Sequence, residues 1–424
     1  MSDVAFVRAK PIPAEPPPAS TTGPLGWLRA NLFNGWVNTL LTVLVGYVVL
    51  RLAVEVWPWF ADSVWNANSL KECRAAGTGA CFAVIRERWT QFLFGFYPID
   101  QYWRPVAAFA LLCVAVAPVL FPEAPRRLFL ATAAFPVLAY WLIWGGTLWS
   151  PVTAAAALAI GTVVYHYAGR HGRPIAAVAA LAAAVVWLSL LAGPAARGLA
   201  ALLPLQLPPV PSRNIGGFTL TLVVGVSAIS MSLPLGILLA LGRQSKLFVV
   251  HTLSVGFIEF VRGVPLITLL FVASVMLSYL LPPGNNFDLV LRVIIMVTLF
   301  ASAYIAEVIR GGLAALPRGQ YEAADAMGLD YWQSMRLIIL PQALKISIPG
   351  IVNVFIGLFK DTTLVSIIGL LDPLGLTTAI RATPQWNGVI WEIYGFIALV
   401  FFVFCFGMSK YSQHLERRLR TDRR

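Results

Sequence analysis

The sequence predicts an all-α integral membrane protein with about ten transmembrane helices. Three observations predict it. Ten apolar runs of roughly crossing length follow one another along the 424 residues, where a helical crossing needs about 20. Hydrophobic residues make up 58% of the chain and charged residues 12%, against about 25% charged in a soluble domain. Basic residues, finally, gather in alternate connections between the runs, as they do in cytoplasmic loops. The runs are helices because a helix satisfies its own backbone polar groups in hydrocarbon.

Residues 1–35 read as a disordered cytoplasmic tail. They hold Pro11, Pro13, Pro16, Pro17 and Pro18 and lack the apolar core of a cleavable signal. An N-terminal membrane region follows over 36–205, with spans expected at 36–57, 105–122, 128–148, 152–168 and 174–192. Between its first two spans lies a long loop, 58–103, rich in Trp and Phe. It reads either as an interfacial aromatic belt or as a small folded cap. Cys73 and Cys81 stand in this loop; an oxidising periplasm permits a disulfide between them, and two free thiols are the alternative. Cys113 and Cys405 fall inside spans as small apolar residues.

Composition changes at 193–216, where Pro194, Pro204, Pro208, Pro209 and Pro211 precede Gly216-Gly217. Earlier spans are Ala/Leu/Val-rich and read as lipid-facing scaffold. Later spans, expected at 217–241, 263–281, 289–309, 347–370 and 388–408, carry Thr, Ser, Asn and charges. Polar groups are costly in a membrane, so they mark a path or a partner. The machinery is therefore expected in 206–424. Gly263 with Pro265, and Pro234 with Gly236, are expected to interrupt its second and first spans.

Most of the 31 Lys and Arg residues fall on one side when the N-terminus is placed inside. Both termini and residues 318–341 then lie in the cytoplasm. The net charge of +12 is explained by this topology. Nucleic-acid binding needs a contiguous basic surface that is not seen here. The ending from Ser409 to Leu419 is a cytoplasmic anchor suited to anionic membrane lipid.

No phosphate-binding G-x-x-x-x-G-K-[ST] loop occurs, no His/Cys cluster has metal-ligand spacing, and no catalytic set is credible with four histidines. The chain is therefore not expected to hydrolyse ATP or to be an enzyme, and no metal and no catalytic residues are expected.

The most distinctive segment is polar. Glu322-Ala323-Ala324 is followed after three residues by Gly328, and later by Ile338-x-Leu340-Pro341. This resembles the loop by which membrane subunits of bacterial ABC importers dock onto their ATPases. Further stretches extend the resemblance to the polar amino acid permease family: Gly217-Phe218-Thr219-Leu220-Thr221-Leu222, Glu259-Phe260-Val261-Arg262-Gly263-Val264-Pro265, Tyr304-Ile305-Ala306-Glu307-Val308-Ile309-Arg310 and Lys360-Asp361-Thr362-Thr363. The added first half is similar to the larger permease of general L-amino acid importers of Gram-negative bacteria.

The resemblance implies a five-helix type I ABC importer core in 206–424. It also implies ATPase coupling through Glu322, Ala323, Ala324, Gly328, Ile338, Leu340 and Pro341. The implied partners are two copies of an ABC ATPase, a second amino acid permease in a heterodimer, a periplasmic amino-acid-binding protein and an L-amino acid substrate. No cofactor is expected in this chain, since ATP and Mg belong to the ATPase. Charged groups in spans give a candidate translocation path of Glu307, Arg310, Lys360, Asp361 and Thr362. Lys360 and Asp361 also read as a neutralising ion pair. A self-contained secondary amino acid transporter is the alternative; it would need paired inverted repeats, and the two halves share no motif.

Overall fold

The computed structural model describes residues 23–121, 123–276, 279 and 288–420. They divide into two compact units, the described residues up to Ala83 and those from Val84 onward. Most of the expected tail, residues 1–22, lies outside the described residues.

The first unit contains α1 (Gly23–Asn31), α2 (Trp36–Ala61) and α3 (Leu70–Ala76). Helix α2 buries no residue along its 26. Its two charges, Arg51 and Glu55, pair one turn apart at 3.5 Å. Beyond it the chain folds as a small cap. Ser69 caps α3 by accepting from Glu72 N. Cys73 and Cys81 are joined in a disulfide with their Cα atoms 5.8 Å apart. Val64 bridges to Cys81, and Phe82 packs against Trp59, Phe60 and Trp65. Aromatic residues of this stretch thus form a local core.

The second unit begins with α4 (Ala83–Phe94), α5 (Trp103–Leu120), α6 (Phe129–Trp144), α7 (Trp149–Ala168), α8 (Arg173–Val186) and α9 (Ala192–Leu202). A π-helical turn at Trp187–Leu191 joins α8 to α9, so the fifth span runs to Leu202 and does not stop at 192. Pro194 cannot serve the carbonyls of the preceding turn, and the widened turn accommodates this.

The remaining helices are α10 (Gly217–Arg243), α11 (Phe248–Gly263), α12 (Leu266–Phe271), α13 (Leu289–Ala314), α14 (Arg318–Ala326), α15 (Tyr331–Ser334), α16 (Leu340–Asp361), α17 (Pro373–Arg381) and α18 (Trp391–Arg420). Helix α13 is central, with fourteen residues buried. It packs along α10 and α16, and Leu220, Val224, Val293 and Val297 share one apolar cluster with Leu358. A second cluster, around Ile258, Ile305, Ile309 and Ile339, lies toward α14.

Among the described residues nine helices are long and apolar enough to cross a membrane, and a tenth crossing results if one bent pair counts as a span. That pair corrects the expected span at 263–281. The helix starts at Phe248, stops at Gly263, turns by 102° and resumes over Leu266–Met276. Val264 is extended and precedes Pro265, which has no N–H and disfavours helix in its predecessor. Charged Glu259 and Arg262 hid the first arm from a count of apolar runs. A second correction concerns Pro234 and Gly236: α10 runs through both without a break. Gly236 instead marks a close approach, because a Cβ there would stand 2.6 Å from Ile305 Cγ2.

The expected division at 205/206 does not coincide with the boundary at 83/84. Polar ties explain why. Thr219 Oγ1 donates to Leu93 O at 2.9 Å, Trp144 Nε1 to Ser212 Oγ at 2.8 Å, and Tyr411 Oη to Leu120 O at 2.7 Å. Strands Gly146–Thr147 and Gln206–Leu207 pair antiparallel. Arg104 is fully buried; its Nε donates to Leu142 O at 2.6 Å and its Nη1 to Pro208 O at 2.8 Å. The early helices α5 and α6 are thereby fastened to the later ones.

Candidate functional site

The coupling segment is built from local rules. Pro317 stands just before the first turn of α14 with φ −59° and ψ 140°, and the helix ends at Gly328, whose φ of +70° is left-handed and favours glycine. Asp330 then caps α15 in a reciprocal box with Gln333. A π-helical turn at Met335–Ile339 leads into α16, with Pro341 in its first turn, where a missing N–H costs nothing.

Glu322 and Ala323 are exposed, whereas Ala324 is buried against the body of the protein. Ile338 and Leu340 are half-buried and Ile339 is fully buried. Gln342 Nε2 donates to Gln320 Oε1 at 3.0 Å and ties α14 to α16. Tyr321 is half-buried, and this burial pushes its phenol up. The segment therefore has an inner side that anchors it and an outer side that is free. On the outer side Met327 is 78% exposed, with Tyr331, Trp332 and Leu337 also exposed. These four were missed by the motif, yet apolar residues within a polar segment are the signal that finds them.

The second feature is a cluster of charges at the α14-proximal ends of three helices. Glu307 on α13 accepts from Arg310 Nε at 2.8 Å through one oxygen. Its other oxygen faces Arg243 Nη1 of α10 at 3.4 Å and Arg262 Nη1 of α11 at 3.5 Å. Arg243 also reaches Glu259 at 2.8 Å, and Arg262 lies over the Tyr304 ring at 5.7 Å. Of the path candidates, Glu307 and Arg310 are thus brought together, with three partners that had been read only as loop charges or motif residues. The signal was available: a Glu inside a span needs nearby cations.

Lys360, Asp361 and Thr362 lie elsewhere, at the far end of α16. Among the described residues no ion pair within 4.0 Å joins Lys360 to Asp361. They are chain neighbours at the end of a helix, and adjacent helical side chains do not face each other. Thr362 is buried and its hydroxyl donates to Phe359 O at 2.7 Å. Farther on, Asp372 caps α17 by accepting from Gly375 N and Leu374 N, and it is fully buried. Burial pushes its carboxyl up to about 6, against the opposing effect of those N–H donors.

Residues 232–421 match the family described as the binding-protein-dependent transport system inner membrane component. Over the full length of both chains, the sequence is 58% identical to the glutamate/glutamine/aspartate/asparagine transport system permease protein BztC of Rhodobacter capsulatus. It is 40% identical to the inner membrane amino-acid ABC transporter permease protein YhdY of Escherichia coli, over 97% of each chain. A solved structure of an amino acid ABC transporter with histidines is 31% identical over 47% of this chain and 90% of its own, with a TM-score of 0.42. With relatives of this identity aligned from end to end, the chain belongs to the amino-acid permeases of ABC importers.

Proposed function

We propose that the chain is the permease through which an ATP-driven importer moves acidic amino acids and their amides inward. The carrying observation is the coupling segment, in a chain that aligns end to end with a relative named for glutamate, glutamine, aspartate and asparagine. A short exposed helix closed by left-handed Gly328 can follow an ATPase, while Ala324, Ile339 and Gln342 carry its movement into α16. Glu322, Ala323 and Gly328 form the docking face, with Met327 and Trp332 as apolar anchors. ATP and Mg act on two ATPase copies, and a second permease completes a heterodimer fed by a periplasmic binding protein. Both termini and the coupling segment lie in the cytoplasm.

The charge cluster suits such substrates. Three guanidinium groups face two carboxylates, Glu259 and Glu307, and leave an excess of positive charge for an anionic side chain.

The test is uptake by the complete importer in proteoliposomes with labelled glutamate, glutamine, aspartate and asparagine. Uptake that requires internal ATP and ignores an ionophore supports the reading. Uptake that survives without ATP and collapses with the ion gradient overturns it in favour of a secondary transporter. Subunits that copurify from native membrane decide between a heterodimer and a homodimer.

A further inference from the structure

A cavity of about 720 Å³ lies within the second unit, between α4–α6 on one side and α10, α13 and α18 on the other. Its walls are apolar and aromatic, with Phe109, Phe135, Val226 and Phe404 among them. That volume is the size of a small-molecule pocket, but its placement is within the membrane spans.

Its depth is informative. On α10 the lining runs from Phe218 to Met231, about 20 Å at 1.5 Å per residue. One leaflet contributes about half of a 30 Å hydrocarbon core. The cavity thus starts at one membrane surface and stops near the midplane. A transmembrane helix of a partner would need a groove through both leaflets.

Its chemistry is uneven. The surface end carries Asp288, Tyr140 and Trp144, and the two rings stack with centroids 5.1 Å apart. Asp288 caps α13 through Oδ1, which accepts from Val290 N and Leu291 N; its Oδ2 has no partner among the described residues. Among the described residues the lining includes no Lys or Arg. A carboxylate beside aromatic rings favours an ammonium group, and the absence of cations disfavours an anionic headgroup.

We propose that this cavity binds an aminophospholipid, with an acyl chain along α10 and its headgroup ammonium at Asp288. The lipid comes from the leaflet on the Asp288 side, which is the periplasmic side under the orientation given above. It closes the seam between the early helices and the transport core.

The test uses the complete importer in vesicles of phosphatidylethanolamine and phosphatidylglycerol, with a trace of photoactivatable phosphatidylethanolamine. After extraction in mild detergent, mass spectrometry reads the retained lipid and the crosslinked peptides. The expected result is phosphatidylethanolamine enriched about fivefold over the bulk ratio, the effect of about 1 kcal/mol, with crosslinks on residues 218–231. Asp288→Asn keeps a good helix cap and brings the ratio to the bulk value. Ser227→Phe, which fills the cavity, removes the crosslinks while the subunits still copurify. Lipid retained at the bulk ratio by the unaltered protein would overturn the proposal. So would a photoreactive residue placed at Val226 that captures the second permease in place of lipid.

Discussion

Helices α8 and α13 are both apolar and both span-forming, but they are used differently. On α8 Val178 and Leu181 are about 70% exposed, facing what is hydrocarbon in a membrane. On α13 Val293, Val297, Ile305 and Ile309 are fully enclosed by protein. Lipid tails are as apolar as leucine, so no hydrophobic force brings helices together there; packing and polar contacts do. The core achieves close packing with glycines. Gly236 lets α13 approach α10, and Gly312 lets α16 approach α13, where a Cβ would stand 2.6 Å from Ala343 O. The early helices are Ala- and Leu-rich and are tied by side-chain hydrogen bonds, such as Thr132 Oγ1 to Ala115 O and Trp187 Nε1 to Thr153 O.

The largest effect is expected in the coupling segment. Gly328→Val imposes a left-handed conformation on a β-branched residue, at a cost of about 1–2 kcal/mol. Proteoliposome uptake should fall more than about tenfold, while the ATPase still turns over and the protein still reaches the membrane. Unchanged uptake would remove Gly328 from the coupling reading.

The packing contrast can be broken directly. Ile305→Ala should lower stability in detergent by about 2–4 kcal/mol, because α10 and α13 cannot collapse onto the space. Leu181→Ala should change it by less than about 0.5 kcal/mol. Equal effects would mean that α8 is covered by protein in the assembled importer.

A pH profile sharpens the same contrast. Asp372 favours its protonated form in the folded protein, where its carboxyl stands at about 6, above the usual value near 4. Its contribution to stability is thus complete below about pH 4 and is lost as pH rises through 6. Tyr97, on the α5–α6 side, is pushed by burial up to about 12, against the opposing charge of Arg104, and contributes nothing in that window. Asp372→Asn, which keeps the cap, should flatten the thermal-denaturation profile between pH 4 and 6 and stabilise the protein at pH 7 by up to about 3 kcal/mol. A profile identical to that of the unaltered chain would show that Asp372 is solvated.

A smaller loss than that of Ile305→Ala is expected for Glu307→Gln. It leaves Arg243, Arg262 and Arg310 without their shared carboxylate, at about 1–2 kcal/mol for groups still partly open to solvent. Differential scanning fluorimetry should show the loss, and Arg262→Gln in the same background should recover part of it.

Much of the fold was legible because apolar runs of crossing length have few alternatives. The bent pair was not, since Glu259 and Arg262 made its first arm look like a loop and only their pairing with α10 and α13 lets it pack as helix. The coupling residues were legible as a motif, but its spacing does not say that Ala324 faces inward while Met327 and Trp332 face outward. That depends on how α14 rests on α16. Glu307 was legible as an anomaly, and its partners were not, because they come from helices far apart in the chain. Lys360 and Asp361 looked like a pair through adjacency, which a helix does not honour.

Arg104 carries a consequence for biogenesis. Its Nη1 acceptor, the Pro208 carbonyl, is 104 residues downstream. At about 5–20 residues per second of synthesis, α5 waits about 5–20 s for that acceptor to emerge. Through this interval a guanidinium at the end of a newly inserted helix lacks part of its final coordination. The early helices thus remain provisional until the chain has passed Pro208, and release of a nascent chain before that point should leave a segment that membrane quality control can recognise by its incompletely satisfied arginine.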